Sequence, residues 1–342
     1  MAVVAHFVHG RGRGHAARAR TIAAELARRG HRVVLFAGEQ ALDLLRTGGP
    51  FELVPVESVM PGPSVVLRLP RRLRGDLGRL RALRPALVIS DGDAPSVRAA
   101  RRLEIPVLSV GHDQVFLRCR LPPGLPRLRV AHERLVAGLT SAGADRSVAV
   151  HFLPIDVAKA HARVVRVARP DRPESLQGPQ SDDGSIVAYL RDGAGVPILN
   201  AAAAAGRRVR LFASSGSLAA VAGLAAAGVE LLPFDRDPFH QALRECSAVI
   251  ATAGSNLLAE SVLLNKPMLA LHRPGDHEQR INALLAEAAG VAMGAVIGGE
   301  DPGDRVADFL RQVSAGGFKR VDLEAELAPV SEVVADQVAE LI

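Results

Sequence analysis

The stretch VIATAGSNLLAESVLLNKPMLALHRPGDHEQRIN, residues 249–282, decides the fold of this chain. The apolar run Ala248 to Ala251 has the length and flanks of a buried parallel strand. Thr252-Ala253-Gly254-Ser255-Asn256 follows as a turn of small residues feeding a helix over Leu257 to Leu264, with Ser255 or Asn256 as its expected N-cap. Such a helix start is an anion site, because its first backbone N–H groups lack partners and the helix dipole is positive there. A phosphate at that point gains up to about 2 kcal/mol in favourable geometry. After Asn265-Lys266-Pro267 a second apolar strand, Met268 to Leu271, runs into the polar loop Gly275-Asp276-His277-Glu278-Gln279. An open α/β sheet keeps its ligand contacts at that end of its strands. Glu260, one to two turns into the helix, is in reach of a pair of ribose hydroxyls. Phosphate, ribose and sugar contacts therefore follow one another along the chain.

Outward from this unit the same alternation repeats. Upstream lie strand-like Ile186 to Leu190, Val209 to Phe212 and Val229 to Leu231, interleaved with helices expected at Pro197 to Ala205, Leu218 to Ala226 and Phe239 to Cys246. Residues 166–185 are rich in Pro, Gly, Ser and Asp and read as a linker or exposed loop. Before them, a strand at Val3 to Val8, the loop His9-Gly10-Arg11-Gly12-Arg13-Gly14-His15, a helix from Ala16 to Arg29 and a strand from Val33 open a second βαβ series. It continues through strands at Phe51 to Val56, Ala86 to Ile89, Val107 to Val110 and Ala149 to Leu153, with a helix at Ala94 to Leu103. Residues 324–342 have Leu327, Val330, Val333, Val334, Val338 and Leu341 at helical spacing. The expected class is α/β, with two Rossmann-like domains facing across a cleft that holds the ligand. Their limits are 1–160 and 186–323, joined by a linker at 161–185 and followed by a C-terminal helix at 324–342.

Composition excludes several functions. With 342 residues the chain is long for one core and comfortable for two. The net charge of +6 invites nucleic acid, yet Lys159, Lys266 and Lys319 are the only lysines, Trp is absent and Tyr189 is the only tyrosine. Stacking platforms for bases are missing, so no nucleic-acid partner is expected. The densest basic run, RLPRRLRGDLGRLRALR at 68–84, reads as a solvated helix face, or as a contact for an acidic acceptor or an anionic membrane surface. Cys119 and Cys246 stand apart, with no CxxC metal knuckle. No run of about 18 apolar residues occurs, and Met1 leads straight into a strand, so a cytoplasmic protein, at most peripheral to a membrane, is expected.

Two further motifs fit poorly with the chemistry they superficially suggest. Gly10, Gly12 and Gly14 imitate a dinucleotide fingerprint, but the third glycine is misplaced, and Glu39 is the only acidic candidate at the end of the second strand. Asp91-Gly92-Asp93 is a DxD, a spacing that holds a metal–nucleotide pair in some enzymes, although Asp93 also suits the N-cap of the helix from Ala94. His112 ends another strand at the same sheet edge and is an acceptor-contact candidate. His272 and His277 read as loop histidines, since no third ligand has metal spacing.

Taken jointly, residues 252–256, Glu260, Asn265-Lys266-Pro267 and Glu278-Gln279 with Asn282-Ala283 resemble the donor-binding signature of GT-B glycosyltransferases. The resemblance is to the group that includes UDP-glucuronosyltransferases and the N-acetylglucosaminyltransferase of peptidoglycan lipid II synthesis. Gly12-Arg13-Gly14-His15 with Arg18 is similar to that group's glycine-rich N-terminal loop. Leu232-Pro233-Phe234 before Asp237-Pro238 is similar to its nucleobase loop, and Ile89-Ser90-Asp91 to the strand end bearing its catalytic aspartate. The resemblance implies that Glu260 holds the ribose, that Thr252, Gly254, Ser255 and Asn256 face the diphosphate, and that Glu278 and Gln279 touch the sugar. Phe234 and Asp235 would meet the base edge, His15 would be the general base oriented by Asp91, and Gly12, Gly14 and His112 would line the loop or the acceptor. It further implies a C-terminal helix packed back on the N-terminal domain, and inverting, metal-independent transfer from a UDP- or dTDP-sugar to a small-molecule, glycan or lipid-linked acceptor, with no cofactor. Thr252 stands where many members have His, and Glu278 where Asp is usual. An NDP-sugar 2-epimerase and a non-catalytic nucleotide-sugar binding protein remain the other classes for the same signature.

Overall fold

A computed structural model describes residues 1–10, 13–59, 65–190, 195–214, 217, 221–222, 228–299 and 301–342. The chain divides into two compact units. The first comprises Met1–Leu121, Ala131–Asp171 and Glu326–Ile342, and the second Pro122–Val130 and Arg172–Ala325.

The first series runs β1 (Val3–Val8), α1 (Arg13–Arg28), β2 (Arg32–Ala37), α2 (Glu39–Leu45), β3 (Glu52–Pro55), α3 (Val65–Leu83), β4 (Leu87–Asp91), α4 (Ala94–Arg102), β5 (Val107–Gly111), α5 (Asp113–Arg118), α6 (Arg127–Ser141), β6 (Arg146–Val150) and β7 (Val165–Ala168). Its seven strands pair in parallel in the order β3-β2-β1-β4-β5-β6-β7. Both faces of such a sheet must be covered, which is why β1, β4 and β5 are almost continuously apolar and buried. Val4, Val8, Leu87 and Ile89 pack under α1, while Ala5, Phe7 and Val88 pack with Leu73 and Leu80 of α3 and Val97 of α4. Chain order reverses between β1 and β4, and ligands bind beyond the strand ends at such a switch point.

The second series runs β8 (Ile186–Tyr189), α7 (Val196–Ala204), β9 (Val209–Ala213), β10 (Val229–Pro233), α8 (Arg236–Glu245), β11 (Ala248–Thr252), α9 (Ser255–Leu263), β12 (Met268–His272), α10 (His277–Ala289), β13 (Ala292–Val296) and α11 (Pro302–Ser314). Its parallel sheet has the order β10-β9-β8-β11-β12-β13, with the switch between β8 and β11. The helix expected from Leu218 to Ala226 falls outside the described residues apart from Val221 and Ala222.

Four expectations change. The stretch 161–185 contains β7, which pairs with β6, so the first sheet reaches further than composition suggested; β7 is a four-residue edge strand, too short to carry a periodic signal. Strand β6 starts at Arg146, three residues before the apolar run from Ala149, because its pairing with β5 begins there. The C-terminal helix is two helices, α12 (Leu323–Glu326) and α13 (Val330–Leu341), since Pro329 has no N–H to continue the ladder. Helix α13 does pack on the first unit, burying Val330, Val334, Ala335 and Val338 with Ala19, Ile22 and Leu26 of α1.

Finally, the basic face of α3 is not wholly solvated. Arg72 is buried, with Nε 3.0 Å from Asp76 Oδ1 and Nη2 3.2 Å from Asp93 Oδ2, and its guanidinium lies over the Phe7 ring, 5.8 Å from the centroid. Burial pushes the Asp76 carboxyl up to about 6, with Arg72 opposing and Asp93 adding to the shift. A group whose folded pKa lies above its unfolded value binds more protons in the native state, so its contribution to stability is lost as pH rises from about 4 to 6. Urea unfolding should therefore show Asp76→Asn gaining on the native chain by up to about 1.4 kcal/mol per pH unit across that window. A difference that stays flat would show that Asp76 is ionised throughout.

Candidate active site

At the switch point of the first sheet, β1 gives way to the loop leading into α1, and β4 ends at Asp91. The backbone N–H of His9 donates to the Asp91 carbonyl at 3.0 Å, tying the two strand ends together. Gly10 is required by close approach: a Cβ there would lie 2.0 Å from Ser58 Oγ. Gly92 has φ +70°, a region costly for residues with a Cβ, and it turns the chain sharply after Asp91.

His15 sits in the first turn of α1, with its side chain about one-third exposed and Nδ1 2.7 Å from Asp91 Oδ1. Arg18, one turn on, donates Nη2 to Asp91 Oδ1 at 2.7 Å and Nε to Oδ2 at 2.9 Å. Asp91 is fully buried. Burial alone, the largest influence, would raise its pKa, but the Arg18 charge, the His15 ring and their hydrogen bonds outweigh it and hold the carboxyl well below the usual range. An ionised Asp91 accepts from His15 Nδ1–H, which leaves the lone pair on Nε2 as the ring's basic site. Around the pair lie the His9 ring, 5.4 Å from that of His15, and the half-buried Asp113 at the start of α5, whose carboxyl is pushed up first by desolvation and then by Asp91.

The two carboxylates of the DxD belong to different networks. Asp91 serves His15 and Arg18, whereas Asp93 caps α4 through Ser96 N at 3.0 Å and pairs with Arg72. His112 is buried, its Nδ1 3.0 Å from the Val150 carbonyl, with its ring against Phe116 and His151. Gly14 lies within α1, and Gly12 lies outside the described residues.

In the second unit the switch point holds an open pocket of about 210 Å³, lined by Leu190, Gly195, Thr252, Arg273, Asp276, Gln279 and Ile297. The helix beside it, α9, begins at Ser255 with Gly254 as N-cap. Neither Ser255 nor Asn256 caps it, contrary to the expected cap, because both lie inside the first turn; no side chain is hydrogen-bonded at the cap. The uncapped first turn of α9 is thus available to an anion. Asn282 fixes the turn from α10, its Nδ2 donating to the Ala253 carbonyl at 3.1 Å. On α10 Asp276 is the N-cap, accepting from Gln279 N at 3.0 Å; Gln279 is buried against the pocket and Glu278 is exposed.

Glu260 is on α9, away from that pocket's lining, with Oε1 3.5 Å from Nε2 of the buried His240. Ser175 Oγ is 2.6 Å from His240 Nδ1, so a hydroxyl donating there puts the ring proton on Nε2, toward Glu260. Phe234 and Tyr189 stack edge-on at 5.2 Å, with Phe239 5.2 Å from Phe234; Asp235 begins α8 as its exposed N-cap. Sequence reasoning missed His240, Ser175, Arg273 and Ile297 because nothing local marks them. Asp276 had a local signal, an Asp three residues before Gln279 at a helix start.

Comparison with known proteins gives a consistent picture. The family described as Glycosyl transferase family 1 matches residues 52–314. The UDP-N-acetylglucosamine–N-acetylmuramyl-(pentapeptide) pyrophosphoryl-undecaprenol N-acetylglucosamine transferase of Rhodospirillum centenum (strain ATCC 51521 / SW) is 30% identical over 307 residues, covering 82% of this chain and 78% of that protein. Its namesake from Methylobacterium sp. (strain 4-46) is 28% identical over 316 residues, covering 82% and 80%. Among solved structures, Acinetobacter baumannii MurG superposes with TM-score 0.68 at 17% identity, covering 99% and 100%. A UGT transferase from Siraitia grosvenorii in complex with UDP gives 0.69 at 15% identity, covering 99% of each chain.

Proposed function

The chain belongs to glycosyl transferase family 1, and from that premise we propose that it moves a sugar from a UDP or dTDP donor to an acceptor hydroxyl, with inversion and without a metal. Its GT-B architecture, two parallel sheets of seven and six strands, is that of the glycosyltransferases it matches. The observation that carries the finer reading is the His15–Asp91 pair at 2.7 Å beside a buried arginine.

In this reading His15 Nε2 takes the acceptor's hydroxyl proton while that oxygen forms its bond to the anomeric carbon. The bond from that carbon to the diphosphate breaks on the opposite face, and the electron pair leaves with the phosphate. Positive charge gathers on the sugar ring and negative charge on the diphosphate, as in glycoside cleavage. The uncapped start of α9 offers backbone donors to the second of these charges, as electrostatic catalysis requires. Gln279 at the pocket wall supports a sugar contact; the ribose contact is given to Glu260 by the resemblance of its motif to the family's donor signature. The relatives named above support a nucleotide-sugar donor and, through their undecaprenol-linked substrate, a lipid-linked acceptor.

A thermal-shift screen of UDP-, dTDP- and GDP-sugars tests the donor, since a ligand at a hundred times its Kd stabilises by about 2.7 kcal/mol. Transfer should persist in excess EDTA. Its loss, with rescue by Mn²⁺, would move the diphosphate to the Asp91–Asp93 element. Interconversion of the free nucleotide sugar with no acceptor present would instead identify an epimerase, and binding without turnover a sensor.

Glu260→Ala should raise the donor's Kd by roughly 10- to 100-fold with the fold intact, because hydrogen bonds to a charged group are worth about 1.5–3 kcal/mol. His240→Gln should cost less, as it only frees the carboxylate to reorient. Calorimetry giving an unchanged Kd for Glu260→Ala would remove the ribose assignment.

A further inference from the structure

Arg18 is a buried cation beside His15, and the base role of His15 does not by itself explain it. Its Nη2 and Nε grip both oxygens of Asp91, at 2.7 and 2.9 Å, and the side chain is only 8% exposed, out of reach of a large acceptor. Asp91 Oδ1 is shared: it accepts from Arg18 Nη2 and from His15 Nδ1, each at 2.7 Å. The same Nη2 lies 3.2 Å from His15 Nδ1, and since both nitrogens carry protons directed at Oδ1, this approach is a cation beside the ring.

We propose that Arg18 is the positioning residue of the pair, whose two-point grip on Asp91 fixes the proton of His15 on Nδ1 and tempers the carboxylate's pull on the ring. The inference rests on the reading of His15 as base. A carboxylate held by one arginine nitrogen could rotate about its own bond; held by two, it presents Oδ1 to the ring in one orientation. The charge matters as much as the geometry: an imidazolium at His15 would form next to a guanidinium, whose charge opposes the pull of the carboxylate.

The groups facing the ring give the sign. Asp91 comes from β4 and Asp113 from α5, both carboxyl groups that favour a charged ring; Arg18 on α1 opposes it, and His9 approaches from the loop after β1. On β1, His6 is fully buried and held to about 4 by burial, with Asp91 opposing the shift and Arg18 adding to it, so it stays neutral and does not compensate. With Arg18 removed the carboxyl groups are left unopposed.

The test is a ¹⁵N NMR titration of the His15 ring in the intact protein, assigned with His15→Gln, in native, Arg18→Met and Arg18→Lys chains, alongside pH profiles of kcat/KM for transfer. The native ring should be the Nδ1–H tautomer. In Arg18→Met its titration, and the acid limb of kcat/KM with it, should move up by about 1–3 pH units. Arg18→Lys keeps the charge and loses the fork, so it should lower kcat about tenfold or more with little movement of the acid limb. An Nε2–H tautomer in the native chain, or an unmoved titration in Arg18→Met, overturns the proposal. Should Arg18→Met fail to fold, Arg18→Lys decides: unchanged kcat overturns the proposal, and a lowered kcat on a native-like acid limb supports it. Because the ring is read without turnover, the two readings separate. Transfer that survives His15→Gln while the ring titration shifts as expected removes the base and leaves the positioning geometry; a static titration with transfer abolished removes only the role of Arg18.

Discussion

His15→Ala should lower transfer by about 10²- to 10⁴-fold while leaving nucleotide-sugar affinity nearly unchanged. The loss follows from chemistry: at neutral pH an acceptor hydroxyl carries its proton into the attack unless a base receives it. Asp91 and Arg18 cannot substitute, since Asp91 is buried and engaged on both oxygens and Arg18 cannot accept a proton. Donor affinity should hold because the candidate donor contacts, Thr252, Gln279 and Glu260, all belong to the second unit. His15→Gln preserves much of the volume and should not restore the rate. Transfer near the native rate in His15→Ala, at saturating donor, would falsify the base assignment.

Asp91→Ala should produce the largest combined effect, losing activity at least as severely as His15→Ala and destabilising the fold by about 3–5 kcal/mol. Its carboxylate is the partner the structure gives to the buried Arg18 guanidinium, so alanine leaves a charge sealed away from water with neither oxygen to bind. Asp91→Asn keeps one oxygen and most of the shape, and should lose less stability while still misorienting the ring. Denaturant unfolding of the three chains measures the ranking, and equal stability of Asp91→Ala and the native chain would show that water reaches Arg18. Acid should act in the same direction. A carboxyl held below its unfolded pKa contributes stability that is present above about pH 4 and lost as pH falls through its folded value.

These expectations were legible in the sequence to different depths. His15 and Asp91 stand out because each ends or begins an element at a recognisable turn, and strand-end residues in a parallel sheet point to its ligand edge. Arg18, by contrast, belongs to a recognisable loop motif but has no assigned role until the fold sets Asp91 against it, 73 positions away. Arg72 shows the same blindness: within a basic run it reads as solvated, yet it is enclosed by Phe7, Asp76 and Asp93. Ser175 and His240, 65 residues apart, meet only through the packing of the second unit.

What the sequence by itself determined is the alternation of buried strands and helices, the two-sheet architecture, the glycine turns and the chemistry of the residues at the strand ends. Each follows from local causes: apolar runs too continuous for one-sided strands, small residues where backbone must turn, and helix starts beside polar loops. Tertiary structure alone decided which charges are buried and paired. The N-terminal edge of β6, the place of β7 in the first sheet, the pairing of Glu260 with His240 and the grip of Arg18 on Asp91 are all of this kind. Such pairings depend on distances between segments remote in the chain. Burial changes the worth of a charge by several kcal/mol, and no window of neighbouring residues records it.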